Sequence, residues 1–203
     1  MTLPAASPSP APGETPDAAL MLRVQSGDEA ALGALMDRWE LPVKAVIARI
    51  VLNAREAEDL AQEAFVRVWQ QRAKFRPGAE FRPWLFAIAV NLARNRLRWW
   101  RRRPEVALEE WTESPGATGS ASLDTPSAAG AAVLESAERA AAVRAAVAAL
   151  PADLREVVVL FEYERLSHAD IAAALGCTPK AVESRLYRAR EKLRASLQKW
   201  FVA

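Results

Sequence analysis

An all-α fold of two small helical domains joined by a flexible linker is predicted by three features of the sequence. Apolar residues recur at three- and four-residue spacing on both sides of the middle of the chain, and no convincing period-two strand interrupts them. Residues that start and stop helices stand at the ends of those periodic runs. Between the runs, residues 105–130 contain "ESPGATGSASLDTPSAAG", rich in Gly, Ser, Pro and Ala and without apolar period, which is the composition of a linker.

Residues 1–16 have neither a cationic start nor a continuous apolar run, so they read as a disordered lead and not as a signal peptide. The first domain, residues 17–104, opens with a helix carrying Leu20 and Val24. Asp28 starts a second, whose apolar positions are Ala31, Leu32, Leu35, Met36 and Trp39, then Val43, Val46, Ile47 and Ile50. Asn53 starts a third, with Glu56 three residues on to complete a capping box. Its apolar stripe is Ala57, Leu60, Ala64 and Val68; its other face, Glu58, Asp59, Gln62 and Glu63, is polar and acidic. Pro77 and Gly78 break the pattern, and a fourth helix runs from about residue 83 to residue 102, where Pro104 stops it.

The second domain, residues 131–203, begins with an alanine-rich helix over residues 131–150, and Pro151 opens the next helix at its first turn. Ser167 with Asp170 then marks a helix start, Gly176 a stop, and Thr178 with Pro179 another start. The product is helix, three-residue turn, helix. Ile171, Ala172 and Leu175 face Val182, Leu186, Ala189, Leu193 and Leu197, with small Ala172 near Gly176 where two helices cross closely. Lys180, Ser184, Arg185, Tyr187 and Arg188 fall on the opposite face of the second helix, whose N-terminus is shaped to enter a major groove.

The net charge of +2 over 203 residues hides an uneven distribution. Residues 21–104 carry 16 Lys/Arg against 9 Asp/Glu, residues 105–150 carry 2 against 7, and residues 151–203 carry 9 against 7. Two basic parts flank an acidic joint, which favours a polyanion contacted at two places. The densest cation lies in "LARNRLRWWRRRP", where Arg94, Arg98, Arg101 and Arg102 share one helical face and Arg96 and Arg103 lie close by. Such a row neutralises phosphates, although cations also favour a helix C-terminus. Trp99 and Trp100 fit equally as core packing or as base-stacking platforms.

Nothing resembles a catalytic constellation, and no cofactor or metal site is expected. His168 is the single histidine and sits in a first helical turn; Cys177 is the single cysteine and lies in the turn as a small apolar residue, with no ligand partners near it in sequence. Phosphate-cradling glycine loops are absent. No segment is apolar for long enough to suggest insertion in a membrane, and one cysteine suits a reducing compartment, so the expected location is cytoplasmic.

These residues carry a family resemblance. "EAEDLAQEAFVRVWQQRAKFRPGAEFRPWLFAIAVNLARNRLR" resembles region 2 of bacterial sigma factors of the sigma-70 family, and "LPADLREVVVLFEYERLSHADIAAALGCTPKAVESRLYRAREKLRASL" resembles region 4. With only a linker between them, the chain is similar to the extracytoplasmic-function group (group IV), which implies an alternative sigma factor and no enzyme. The resemblance implies that Glu58, Asp59, Gln62 and Glu63 dock on the clamp helices of the largest subunit of core RNA polymerase, with the beta flap as a further contact. It implies that Lys74, Phe75, Arg76, Phe81, Arg82, Trp84, Asn91, Arg94 and Arg98 open and hold the minus-ten element. Thr178, Lys180, Ser184, Arg185, Tyr187 and Arg188 would read the minus-thirty-five element of promoter DNA. An anti-sigma factor and a stress or envelope signal are further implied. Glu183 stands where many relatives carry lysine; a carboxylate there suits cytosine. Only Ala87 and Ile88 follow Trp84 and Phe86, a thin aromatic set for melting, which suggests reliance on near-ideal promoters.

The linker length is compatible with this. As a coil its 26 residues average roughly 25–31 Å end to end and extend to about 85–95 Å, and sites a helical turn and a half apart are separated by about 50 Å. The competing reading is a helix-turn-helix regulator indifferent to polymerase; an enzyme acting on nucleic acid is a more distant one.

Overall fold

The computed structural model describes residues 16–103 and 128–200. The expected lead apart from Pro16, and the expected linker apart from its last three residues, lie outside the described residues. Four helices form the N-terminal module: α1 (Pro16–Gln25), α2 (Glu29–Val51), α3 (Ala54–Gln71) and, after a 3-10 turn at Arg72–Lys74, α4 (Phe81–Arg102). The C-terminal module contains α5 (Ala128–Ala148), α6 (Ala152–Val158) running into a π-helical segment Val159–Tyr163, α7 (His168–Leu175), α8 (Pro179–Ser196) and a 3-10 turn at Gln198–Trp200. Among the described residues there is no strand.

Local chemistry explains the boundaries. Asp28 caps α2 by accepting from the Ala31 amide at 3.1 Å, and Arg23, bonded to its carboxylate at 2.7 Å, holds that carboxyl below its usual range. Asn53 caps α3 by accepting from the Glu56 amide at 3.0 Å. The capping box expected there is not completed as such: the Glu56 carboxylate turns to Arg96 on α4, 2.8 Å away, because a nearby guanidinium is the stronger partner for a carboxylate that is nearly buried. Helix α4 starts at Phe81, two residues ahead of the expected position, and so takes Pro83 into its first turn, where a missing amide costs nothing. Pro42 lies inside α2, which continues through it.

The core of the N-terminal module is built from Met21, Val24, Leu35, Ile47, Ile50, Phe65, Leu85 and Phe86, all essentially without solvent contact. In the C-terminal module, Leu154, Val157, Leu160, Ile171, Val182 and Leu186 play the same part, while Leu193 is half-buried. The Ser167–Asp170 capping box forms in both directions, Gly176 adopts φ +63 at the end of α7, and Thr178 accepts from the Ala181 amide at 3.2 Å to start α8. The turn between α7 and α8 thus has the residues its backbone requires.

The two modules are not held apart. Helix α4 packs along α7, and the buried apolar residues of both modules form one continuous cluster. Helix α6 is therefore covered on more than one side. Residues Leu154 to Leu160 are all buried, including the charged pair Arg155 and Glu156.

Candidate nucleic-acid interface

Three surfaces carry the residues singled out from the sequence. On α3, Glu58, Asp59 and Gln62 are exposed and Glu63 is half-exposed, one turn apart along the outer face. Glu58 is bonded to Lys44 of α2 at 2.8 Å, and that bond and charge lower its carboxyl from the usual range. Glu63 pairs with Arg67 at 2.9 Å, the ordinary i,i+4 arrangement. Two exposed apolar side chains stand on the same two helices, Leu41 of α2 (76% exposed) and Val66 of α3 (52%). Sequence reasoning passed over both; each is an apolar residue out of register with its helix's buried stripe, and that mismatch is the signal that could have found them.

The second surface is the loop before α4 with α4 itself. Lys74 and Arg76 are exposed at the loop, whose tip is Gly78 at φ +78. Gln25 of α1 fastens the loop from beneath, donating to the carbonyls of Arg72 at 2.8 Å and Phe75 at 2.7 Å. Phe75 and Phe81 do not face solvent. They are 2% and 1% exposed, stacked edge to face at 6.3 Å between centroids, with Trp84 5.4 Å from Phe75 and Trp39 6.5 Å from Phe81. Their position is that of a floor holding the loop, while Trp84 is half-buried at the rim. Trp100 is likewise buried, and Trp99 is half-buried with the guanidiniums of Arg96 and Arg103 over its ring at 5.4 and 5.2 Å.

Along α4, Asn91, Arg98, Arg101 and Arg102 are exposed, but Arg82 and Arg94 are not free. Arg82 donates to the Glu164 carbonyl and lies 3.4 Å from the Glu164 carboxylate. Arg94 donates to the Leu175 carbonyl at 3.1 Å, and its Nε lies 3.2 Å from Oε2 of buried Glu156, close enough for an ion pair although not aligned as a hydrogen bond. The two arginines of the first module thus meet two carboxylates of the second, which the sequence reading did not single out.

The third surface is α8. Thr178, Lys180, Ser184, Tyr187 and Arg188 are exposed, with Tyr187 at 67%. Lys180 pairs with Glu183 at 3.1 Å, and the Ser184 hydroxyl donates to the Lys180 carbonyl. Arg185 is turned inward and half-buried; its Nη1 lies 3.9 Å from the Cys177 sulfur. His168 is half-buried against the Phe161 ring, 5.3 Å between centroids. No group of three or more His, Cys, Asp or Glu among the described residues could hold a metal, and none of their helices is long and apolar enough to cross a membrane.

The arrangement offers an acidic flank, a cationic helix over an aromatic floor, and a helix-turn-helix with an open N-terminus. Comparison with known proteins agrees. The family model "Sigma-70 region 2" matches residues 35–103 and "Sigma-70, region 4" matches residues 140–193. The chain is 36% identical to the RNA polymerase sigma-H factor of Pseudomonas aeruginosa over 90% of its own length and 94% of that protein's, and 33% identical to the ECF RNA polymerase sigma-E factor of Escherichia coli K12 over the same shares. Its fold is similar to CnrH in complex with the cytosolic domain of CnrY, with TM-score 0.62, 28% identity, and coverage of 90% of this chain and 97% of that one. It is also similar in fold to the sigma factor RpoE of Bartonella quintana in complex with the anti-sigma factor NepR, with TM-score 0.58, 23% identity, and coverage of 82% and 96%. The chain belongs to the sigma-70 family as an extracytoplasmic-function sigma factor, a non-enzymatic subunit that binds core RNA polymerase and directs promoter-specific initiation.

Proposed function

We propose a division of labour among the three surfaces. Residues 17–104 carry the polymerase and minus-ten contacts, residues 131–203 the minus-thirty-five contacts, and residues 105–130 tether them. Glu58, Asp59, Gln62 and Glu63 dock on the clamp helices, and the beta flap receives the C-terminal module. Lys74, Arg76, Arg82, Trp84, Asn91, Arg94 and Arg98 engage the opened strand, with Phe75 and Phe81 as the floor that shapes its site. Lys180, Ser184, Tyr187 and Arg188 meet the upstream element, and Thr178 sets the start of their helix.

The observation that carries this reading is the order of surfaces along one chain: an outward acidic face on α3, a cationic α4 directly after it, and a capped helix-turn-helix whose second helix presents its N-terminal half to solvent. A stress or envelope signal acting through an anti-sigma factor, in the cytoplasm, completes the reading; the fold neighbour in complex with the anti-sigma factor NepR supports it.

Reversing Asp59 and Glu63 together to lysine tests the polymerase assignment. Binding to core is expected to fall by at least about a hundredfold, because like charges replace attractive ones, while specific upstream DNA binding by α8 persists. Unchanged core affinity would refute the assignment of the α3 face.

A further inference from the structure

Most polar groups at the start of α8 are engaged by the chain itself. The Thr178 hydroxyl accepts from the Ala181 amide, the Ser184 hydroxyl donates to the Lys180 carbonyl at 2.9 Å, and Arg185 is turned inward toward Cys177. What stands outward there is an ion pair: Nζ of Lys180 lies 3.1 Å from Oε2 of Glu183, and the two side chains are 83% and 59% exposed. Residues three apart share one face of a helix, so both charges lie on the outer side. A pair so exposed adds little to stability. Its ammonium keeps further protons and its carboxylate a second oxygen, so both ends can take a partner without parting.

The spacing of this pair has a counterpart in DNA. In a guanine–cytosine pair the cytosine N4 amine donates to guanine O6, so a donor and an acceptor lie about 2.9 Å apart on the major-groove edge. Guanine adds a second acceptor, N7, on the O6 side, while cytosine offers the groove only its N4 donor. From this match we infer that Lys180 and Glu183 act together as one reader of a guanine–cytosine pair in the upstream element, the ammonium donating to guanine O6 and N7 and the carboxylate accepting from cytosine N4. The inference rests on the assignment of α8 to that element, and adds to it a base pair and an orientation. An adenine–thymine pair also carries an adjacent amine and carbonyl, but there adenine N7 faces the carboxylate with an acceptor and the thymine methyl crowds the ammonium. A reversed guanine–cytosine pair sets acceptors against the carboxylate and an amine against the ammonium. Glu183 thus adds rejection of wrong pairs to the attraction that Lys180 supplies. Joined to Lys180, its carboxylate approaches the polyanion as part of a neutral unit.

Selection from linear promoter templates with the upstream element randomised tests the inference, using the full-length chain with core polymerase and sequencing the DNA held in initiating complexes. One position should be enriched in a single orientation of guanine–cytosine by about tenfold or more over the other pairs, the scale of one well-placed bidentate contact. Lys180→Ala and Glu183→Ala should each flatten the preference at that position and leave the others as they were. Glu183→Gln should move it toward adenine in place of cytosine, because an amide both donates to N7 and accepts from N6. The exchanged pair, Lys180→Glu with Glu183→Lys, keeps the ion pair and should favour the reversed orientation; a purely structural role would not invert a base preference. A base profile unchanged by Glu183→Ala, or a loss spread evenly over all positions, overturns the inference and leaves α8 on the upstream element. Failure of the unaltered chain to enrich any upstream sequence overturns that assignment, and this inference with it.

Discussion

Helices α4 and α8 are both assigned to promoter DNA, yet they differ in what surrounds their cations. On α8, Lys180 and Arg188 stand in solvent, and Tyr187 beside them is two-thirds exposed. On α4, Arg82 and Arg94 are half-buried and paired with carboxylates of the other module, and Phe81 at its start is part of the core. The contrast is one of coupling. A residue of α8 assigned to DNA bears little on the fold, whereas a residue of α4 assigned to the strand also serves stability and the contact between modules.

Paired substitutions, one on each helix, probe this difference in coupling. The largest expected effect is on the aromatic floor: Phe81→Ala should destabilise the chain by about 3–5 kcal/mol in denaturant unfolding, while Tyr187→Ala should leave stability within about 0.5 kcal/mol and weaken upstream-element binding. Equal stability losses from the two would erase the distinction. Next in size, Arg94→Ala should cost about 1–3 kcal/mol, since it leaves the Glu156 carboxylate and the Leu175 carbonyl without their partner. Arg188→Ala should cost almost nothing in unfolding and instead reduce discrimination among upstream sequences by about 1–3 kcal/mol in competition binding if it reads a base. The smallest effect is local to α8. Thr178→Ala removes the cap at 3.2 Å and should cost about 1 kcal/mol, with Thr178→Ser restoring it; the loss should appear as fraying of the helix start in amide hydrogen exchange.

Much of the helix-turn-helix was legible in the sequence because its determinants are local. Ser167 and Asp170, Gly176, and Thr178 with Pro179 act within a few residues of the backbone they cap, so spacing alone locates them. The buried stripe of α3 is legible for the same reason. Arg185 shows the limit of spacing: it falls between the inner and outer faces of α8, and the neighbouring Cys177 and Glu156 decide that it turns inward. Phe75 and Phe81 could not be sorted from their solvent-facing neighbours, since Phe81 packs on Trp39 of another helix and Phe75 on Phe81 and Trp84 across the loop. The seam between the modules was invisible altogether. Arg82 and Glu164 are 82 residues apart, and no periodicity joins them. One signal was present and unread: the buried run from Leu154 to Leu160 is too uniformly apolar around its charged pair for a helix with one wet face.

The proposed division of labour sets α4 and α8 of one chain on two separate elements of a single promoter while α3 holds the polymerase. Iron chelates tethered at Arg76→Cys and at Tyr187→Cys, each in a Cys177→Ser background and within an initiating complex on linear promoter DNA, report this directly. Cleavage should fall at two places about 50 Å apart along the duplex, the cut from α8 upstream and the cut from the α4 loop beside the melted bases. Coincident cuts, a reversed order, or identical cuts in the absence of core polymerase would contradict it.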